Sequence, residues 1–98
     1  MATYIATVKF TPQGIAAIKD TGKRASAFKS AAKKLGVKVT DVYWTLGRFD
    51  GLLIMDADDE QSVTAAMLQL SAQGNVQTQT ARAFNSSEIE GIVARLNK

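Results

Sequence analysis

Along this chain the apolar residues recur first at every second position, then at helical spacing, then twice more at strand spacing, and the cycle repeats. TYIATVKF alternates Tyr4, Ala6, Val8 and Phe10 against Thr3, Ile5, Thr7 and Lys9, the period of a strand with two unlike faces. Thr11-Pro12 supplies an N-cap and a first-turn proline, and Ile15 and Ile18 begin a helical stripe. The stripe loses phase across Asp20-Thr21-Gly22 and resumes at Ala25, Phe28, Ala32 and Leu35, which predicts a break near Gly22 with Thr21 as a new cap. Gly36 closes that helix. Val37 to Leu46 and GLLIMDA read as strands of a hairpin joined by Gly-Arg-Phe-Asp. Asp58-Asp59-Glu60-Gln61 caps a helix carrying Val63, Ala66, Met67 and Leu70, and Gly74 ends it. NVQTQTARAF is the last strand, and Ser86-Ser87-Glu88 opens a final helix bearing Ile89, Ile92, Val93 and Leu96.

The predicted order is βαββαβ plus a C-terminal helix: an α+β, ferredoxin-like domain over residues 1–98, with both crossover helices on one face of a four-stranded antiparallel sheet. That leaves the other face bare. If Tyr4, Ala6, Val8 and Phe10 meet the helices, Ile5, Thr7 and Lys9 point away from them. The same alternation assigns Tyr43 and Thr45, together with Val76, Thr78, Thr80, Arg82 and Phe84, to the bare face. A half-apolar face of this size is commonly covered by a second copy, so a homodimer is expected, with room for higher assembly. In the space between two such sheets Lys9 and Arg82 would favour a small anionic ligand, with Tyr43 and Thr45 as hydrogen-bonding groups. The competing expectation is that the two cations snorkel or pair with Asp41 at the rim. Trp44 is read as core or interface packing, or as a cavity wall if the strand has the opposite phase.

Composition removes whole reaction classes. With neither Cys nor His, the chain can form no zinc finger, His-ligated haem, Cys nucleophile or Ser-His-Asp triad. Cysteine-free composition and the absence of a signal-peptide pattern point to the cytoplasm, and no run is long enough to span a membrane. Charge is two-ended: residues 1–40 hold eight of the twelve basic residues and one acid, Asp20. Lys23, Lys29, Lys33 and Lys34 lack interleaved aromatics, so a solvated helix face explains them better than nucleic-acid binding. Asp56, Asp58, Asp59 and Glu60 fit helix capping rather than a metal site, since the spacing of a calcium loop is missing. No phosphate-binding glycine motif occurs, and any catalysis would rest on Asp, Glu, Lys, Tyr, Arg or a bound cofactor that the sequence does not name.

VYWTLGRFDGLLIM, followed by DADDE, an apolar helix and GNVQTQTARAF, resembles the GYD domain family, and the likeness runs through nearly the whole chain. The signature Gly, Tyr, Asp falls on Gly47, Phe49 and Asp50, with phenylalanine where the family name calls for tyrosine, so no phenol is available there. The resemblance implies a subunit of the dimeric α+β barrel type. In the turn, Asp50 is suited to accept from nearby backbone N–H groups, Gly47 and Gly51 permit unusual dihedrals, and Arg48 stays at the rim, where it can meet a partner or ligand. The expected protein is a small homodimer that binds a small anionic molecule or acts as an interaction module. The alternative is a cofactor-independent oxygenase or isomerase in which Lys9, Tyr43, Trp44 and Arg82 orient substrate.

Overall fold

The computed structural model describes residues 1–97. Its strands are β1 (Ala2–Phe10), β2 (Val37–Trp44), β3 (Gly51–Ala57) and β4 (Val76–Ala83), and its helices are α1 (Pro12–Ala16), α2 (Thr21–Lys34), α3 (Glu60–Ala72) and α4 (Ser86–Ala94). The sheet order β2-β3-β1-β4, antiparallel throughout, is that of a ferredoxin-like domain. The core lies between one sheet face and α2 and α3. Tyr4, Ala6 and Val8 of β1 meet Leu53, Met55 and Ala57 of β3, and Phe28, Ala32, Val63, Ala66 and Met67 close over them. Ala6, Ala32, Ala57 and Ala66 are fully buried, and their short side chains let the helices approach the sheet closely.

Several local predictions hold. Thr11 accepts from the Gly14 N–H at 3.1 Å, with Pro12 in the first turn. Asp59 caps α3 by accepting from Ser62 N–H at 2.7 Å, and this contact sets its carboxyl below the ordinary range. Gly36 and Gly74 adopt positive φ at the helix ends.

Others are corrected. The break between α1 and α2 is a single 3₁₀ turn at Ile18–Asp20, upstream of Gly22, and Thr21 is already helical rather than a cap. Ile15 and Ile18 face solvent. β2 stops at Trp44, leaving Leu46 fully exposed. The cap of α4 is Asn85, which forms a reciprocal capping box with Glu88.

Two phase effects matter for function. Register shifts between Val39 and Asp41, a bulge that turns the strand over, so Val37 and Val39 face the helices while Tyr43 pairs with Leu52 on the open side. In β4, Thr78, Thr80 and Arg82 pair with Val8, Ala6 and Tyr4. The set Val76, Thr78, Thr80 and Arg82 therefore shares the helix-side face, opposite to the expected one. A one-residue phase error inverts a whole strand, and β4 has no continuous apolar row to fix it.

Candidate functional site

The turn between β2 and β3 is a clamp on the end of β1. Thr45 donates its N–H to Asp50 O at 2.9 Å and its hydroxyl to Phe49 O at 2.6 Å. Asp50 N–H then donates to Val8 O at 2.8 Å, and the Asp50 carboxylate accepts from Phe10 N–H at 2.9 Å. This is what the carboxylate in the turn does: it satisfies a backbone donor of β1 where strand pairing to β3 has ended. Gly47 makes the reversal possible at φ +116°. The loop is therefore rigidly seated, and Arg48 and Phe49 project from a fixed base.

On the open face, Ile54 lies between Asp41 and Ile5, and Ile5 is followed by Ala81; the next row runs Tyr43, Leu52, Thr7, Gln79. The centre is apolar and half-buried, and the rim is polar. Thr3 donates to the Asp56 carboxylate at 2.9 Å on one side. At the end nearest the turn, Thr7, Lys9, Arg48, Phe49, Gln77 and Gln79 surround a hollow of about 600 Å³. Lys9 Nζ donates to Arg48 O at 3.4 Å, and neither cation has a carboxylate within ion-pair distance among the described residues. The arrangement offers two positive charges, an aromatic edge and two amides, a set suited to hold an anionic or carbonyl-rich group.

The expected residues thus divide. Lys9, Arg48 and Phe49 come together, Tyr43 shares their face, and Thr45 spends its hydroxyl proton inside the turn. Trp44 and Arg82 belong to the other face. Arg82 forms an ion pair with Glu88 at 2.9 Å, donates to Ala83 O, and sits over the Phe84 ring at 4.5 Å; it fastens the start of α4 to the sheet rather than meeting Asp41. Trp44 donates its indole N–H to Thr21 Oγ1 at 3.0 Å and borders a separate crevice beneath α2, beside Arg24.

Sequence reasoning took Thr21 only as a cap and passed over Arg24 and Gly14. The first two continue the stripe of Ala25, Phe28 and Ala32 backward by helical steps, so a hydroxyl and a cation sit on a helix face that otherwise packs against the sheet. Gly14 is buried because the backbone of Asn75 passes over it.

The profile of the GYD domain matches residues 4–93. The chain belongs to the GYD domain family. Over 97 residues it is 29% identical to the glutamine synthetase and cystathionine beta-lyase binding protein of Thermus thermophilus, a match covering 98% of this chain and 99% of that relative. A crystal structure of a Thermus thermophilus protein superposes with a TM-score of 0.57 at 22% identity, covering 88% of this GYD domain and 96% of the other chain. The 5-chloro-2-hydroxyhydroquinone dehydrochlorinase of Burkholderia phenoliruptrix superposes with a TM-score of 0.63 at 17% identity, covering 87% and 96%. At these identities both structures share the fold, and neither carries its chemistry across.

Proposed function

We propose that this GYD domain is a homodimeric interaction module that attaches to metabolic enzymes, closing its bare sheet face on a second copy and presenting its helical surface to the partner. The observation that carries this reading is the open face itself: an apolar centre of Ile5, Leu52 and Ile54 inside a polar rim, covered by no element among the described residues. That division of core and rim is typical of protein interfaces. Four strands of seven to nine residues span roughly 19 by 25 Å at about 4.8 Å per strand and 3.3 Å per residue. Such a footprint, about 475 Å² in plan, is roughly 60% of the ~800 Å² per partner buried in standard interfaces, so the seam would be a small one.

The near full-length similarity to a protein named for binding glutamine synthetase and cystathionine beta-lyase supports enzymes of those kinds as partners. The complementary surface on the partner would be acidic, because Lys23, Lys29, Lys33 and Lys34 are exposed on α2, which carries no acidic residue. A cytoplasmic setting agrees with such partners and with a chain free of cysteine. The test is gel filtration of the purified protein with glutamine synthetase and with cystathionine beta-lyase from its own source. Salt-sensitive co-elution with either is expected. Independent elution from both at micromolar concentration would sink the partner assignment.

A second reading rests on the unpaired Lys9 and Arg48. In a dimer their hollow becomes part of the space between sheets, and with Tyr43 it would receive a small anion. Native mass spectrometry of gently purified protein decides it. A dimer carrying added mass that Lys9→Ala or Arg48→Ala removes supports the site, and a dimer without added mass counts against it.

A further inference from the structure

The crevice beneath α2 differs from the open face in every respect that matters for binding. It lies on the helix side of the sheet, within one chain, and has a volume of about 70 Å³. At about 10–15 Å³ of such volume per water molecule, it accommodates on the order of five to seven waters, or a compact organic molecule of similar size. Val8, Phe28, Leu53 and Val76 form buried apolar walls. Its rim carries Thr21 and Arg24, both half-buried, and Trp44, which is exposed.

Arg24 supplies the chemical instruction. Its Nη1 donates to Ala17 O at 2.7 Å, in the stretch where the chain breaks between α1 and α2, and this contact holds the guanidinium in place. Its Nη2 is buried and meets no acceptor among the described residues. A buried cationic donor without an acceptor is costly, and a carboxylate answers it with a charge-assisted bond. Asp50 is the one acidic side chain bordering the crevice; it forms no ion pair with Arg24, and its Oδ2 already accepts from Phe10 N–H. Thr21 Oγ1 accepts from the Trp44 indole, which leaves the hydroxyl proton free to donate toward the same acceptor.

We propose that this crevice is a binding site for a small monocarboxylate with a compact branched or aryl body, its carboxylate on Arg24 and Thr21 and its body against Phe28, Leu53 and Val76. A dianion is disfavoured, because one guanidinium would leave its second charge unmatched among apolar walls. Sugars and other uniformly polar molecules would strip their hydroxyls of water without replacement partners. The site is complete in a single chain and is independent of the partner and dimer assignments made above.

Trp44 is the sole tryptophan, so intrinsic fluorescence reports the rim directly. The full-length protein is titrated with a panel of straight, branched and aryl monocarboxylates, each beside its isosteric amide, for example isovalerate beside isovaleramide. A saturable change with the acid and none with the amide is expected. Arg24→Met should weaken binding by about tenfold or more, the scale of a lost charge-assisted bond. Ala25→Leu keeps the charge but fills the crevice from the helix side, and it should abolish binding. Arg95→Gln removes an equal charge from the C-terminal turn and should leave the titration unchanged. Thermal melts establish that each variant is folded. Equal binding of acid and amide, unchanged affinity in folded Arg24→Met, or no saturable response across the panel would overturn the proposal.

Discussion

At the scale of single residues, this domain distinguishes glycines that the sequence presents alike. Gly14 lies in the first turn of α1, which is stitched to the turn after α3: Thr11 donates its N–H to Asn75 O and its hydroxyl to Gly74 O, and Gln13 donates to Gln73 O at 2.9 Å. An alanine Cβ at position 14 would overlap the Asn75 carbonyl oxygen, and backbone cannot swing aside as a flexible side chain can. Gly22 has open space where its Cβ would be and no positive φ. Gly14→Ala should therefore destabilise by about 1–3 kcal/mol, the usual scale of overpacking. Gly22→Ala should stabilise by up to about 1 kcal/mol through helix propensity. Thermal unfolding checks both: for a domain of this size each kcal/mol moves Tm by roughly 4–8 °C, so the two variants should melt on opposite sides of the parent. A Gly14→Ala protein that melts at or above the parent would show that the Asn75 turn yields freely.

At the scale of elements, α4 stands apart, with Ile89, Ile92 and Val93 exposed. Its start is held by Asn85, Glu88 and Arg82. Glu88 accepts from Arg82 at 2.9 Å and from Asn85 N–H at 3.1 Å, and these contacts, Arg82 first, hold its carboxyl below the ordinary value of 4.5. The folded state thus favours the charged form. The contribution of Glu88 is complete above 4.5 and is lost as pH falls through the depressed folded value. Amide protection across Ser86–Ala94, measured as exchange relative to the intrinsic rate at each pH, should fall on acidification through that window. Glu88→Gln should exchange faster at neutral pH and respond less to acid; an unchanged acid response would place the pH dependence elsewhere. How legible such elements were depends on their side chains. β1 carries an apolar alternation, and its phase was readable; in β3 the run Leu52-Leu53-Ile54-Met55 is apolar on both faces, so pairing with β1 sets its phase. In β4, glutamine, threonine, alanine and arginine leave the two faces nearly indistinguishable, so pairing with β1 decides the phase and carries Arg82 to Glu88. In β2 the bulge at Thr40 lets Val37 and Val39 face the helices and Tyr43 the open side, where the sequence reading places Tyr43.

At the scale of the whole molecule, one sheet separates two surfaces of different chemistry, the open face around Ile5 and Ile54 and the crevice around Arg24. The bareness of the open face was legible, because it follows from element order. The crevice was not, because it depends on where α2 restarts after the 3₁₀ turn, which brings Thr21 and Arg24 over the end of the sheet beside Trp44. The separation makes the two proposals experimentally distinct. Ile54 is directly opposite Ile5 at the middle of the open face and is half-buried in the single chain, so a glutamate there can reach water in a monomer. In a two-fold pair of sheets each interface position occurs twice, and a new carboxylate from each copy would be desolvated near the seam without a counter-ion placed for it. Ile54→Glu should therefore convert the proposed dimer to a monomer, as measured by light scattering during gel filtration, while circular dichroism shows the fold retained. The crevice should still bind its monocarboxylate in that monomer, because none of its walls comes from a second copy. A folded Ile54→Glu protein that remains dimeric would remove the open face as the seam. Loss of carboxylate binding on monomerisation would show instead that the two faces are coupled through the sheet.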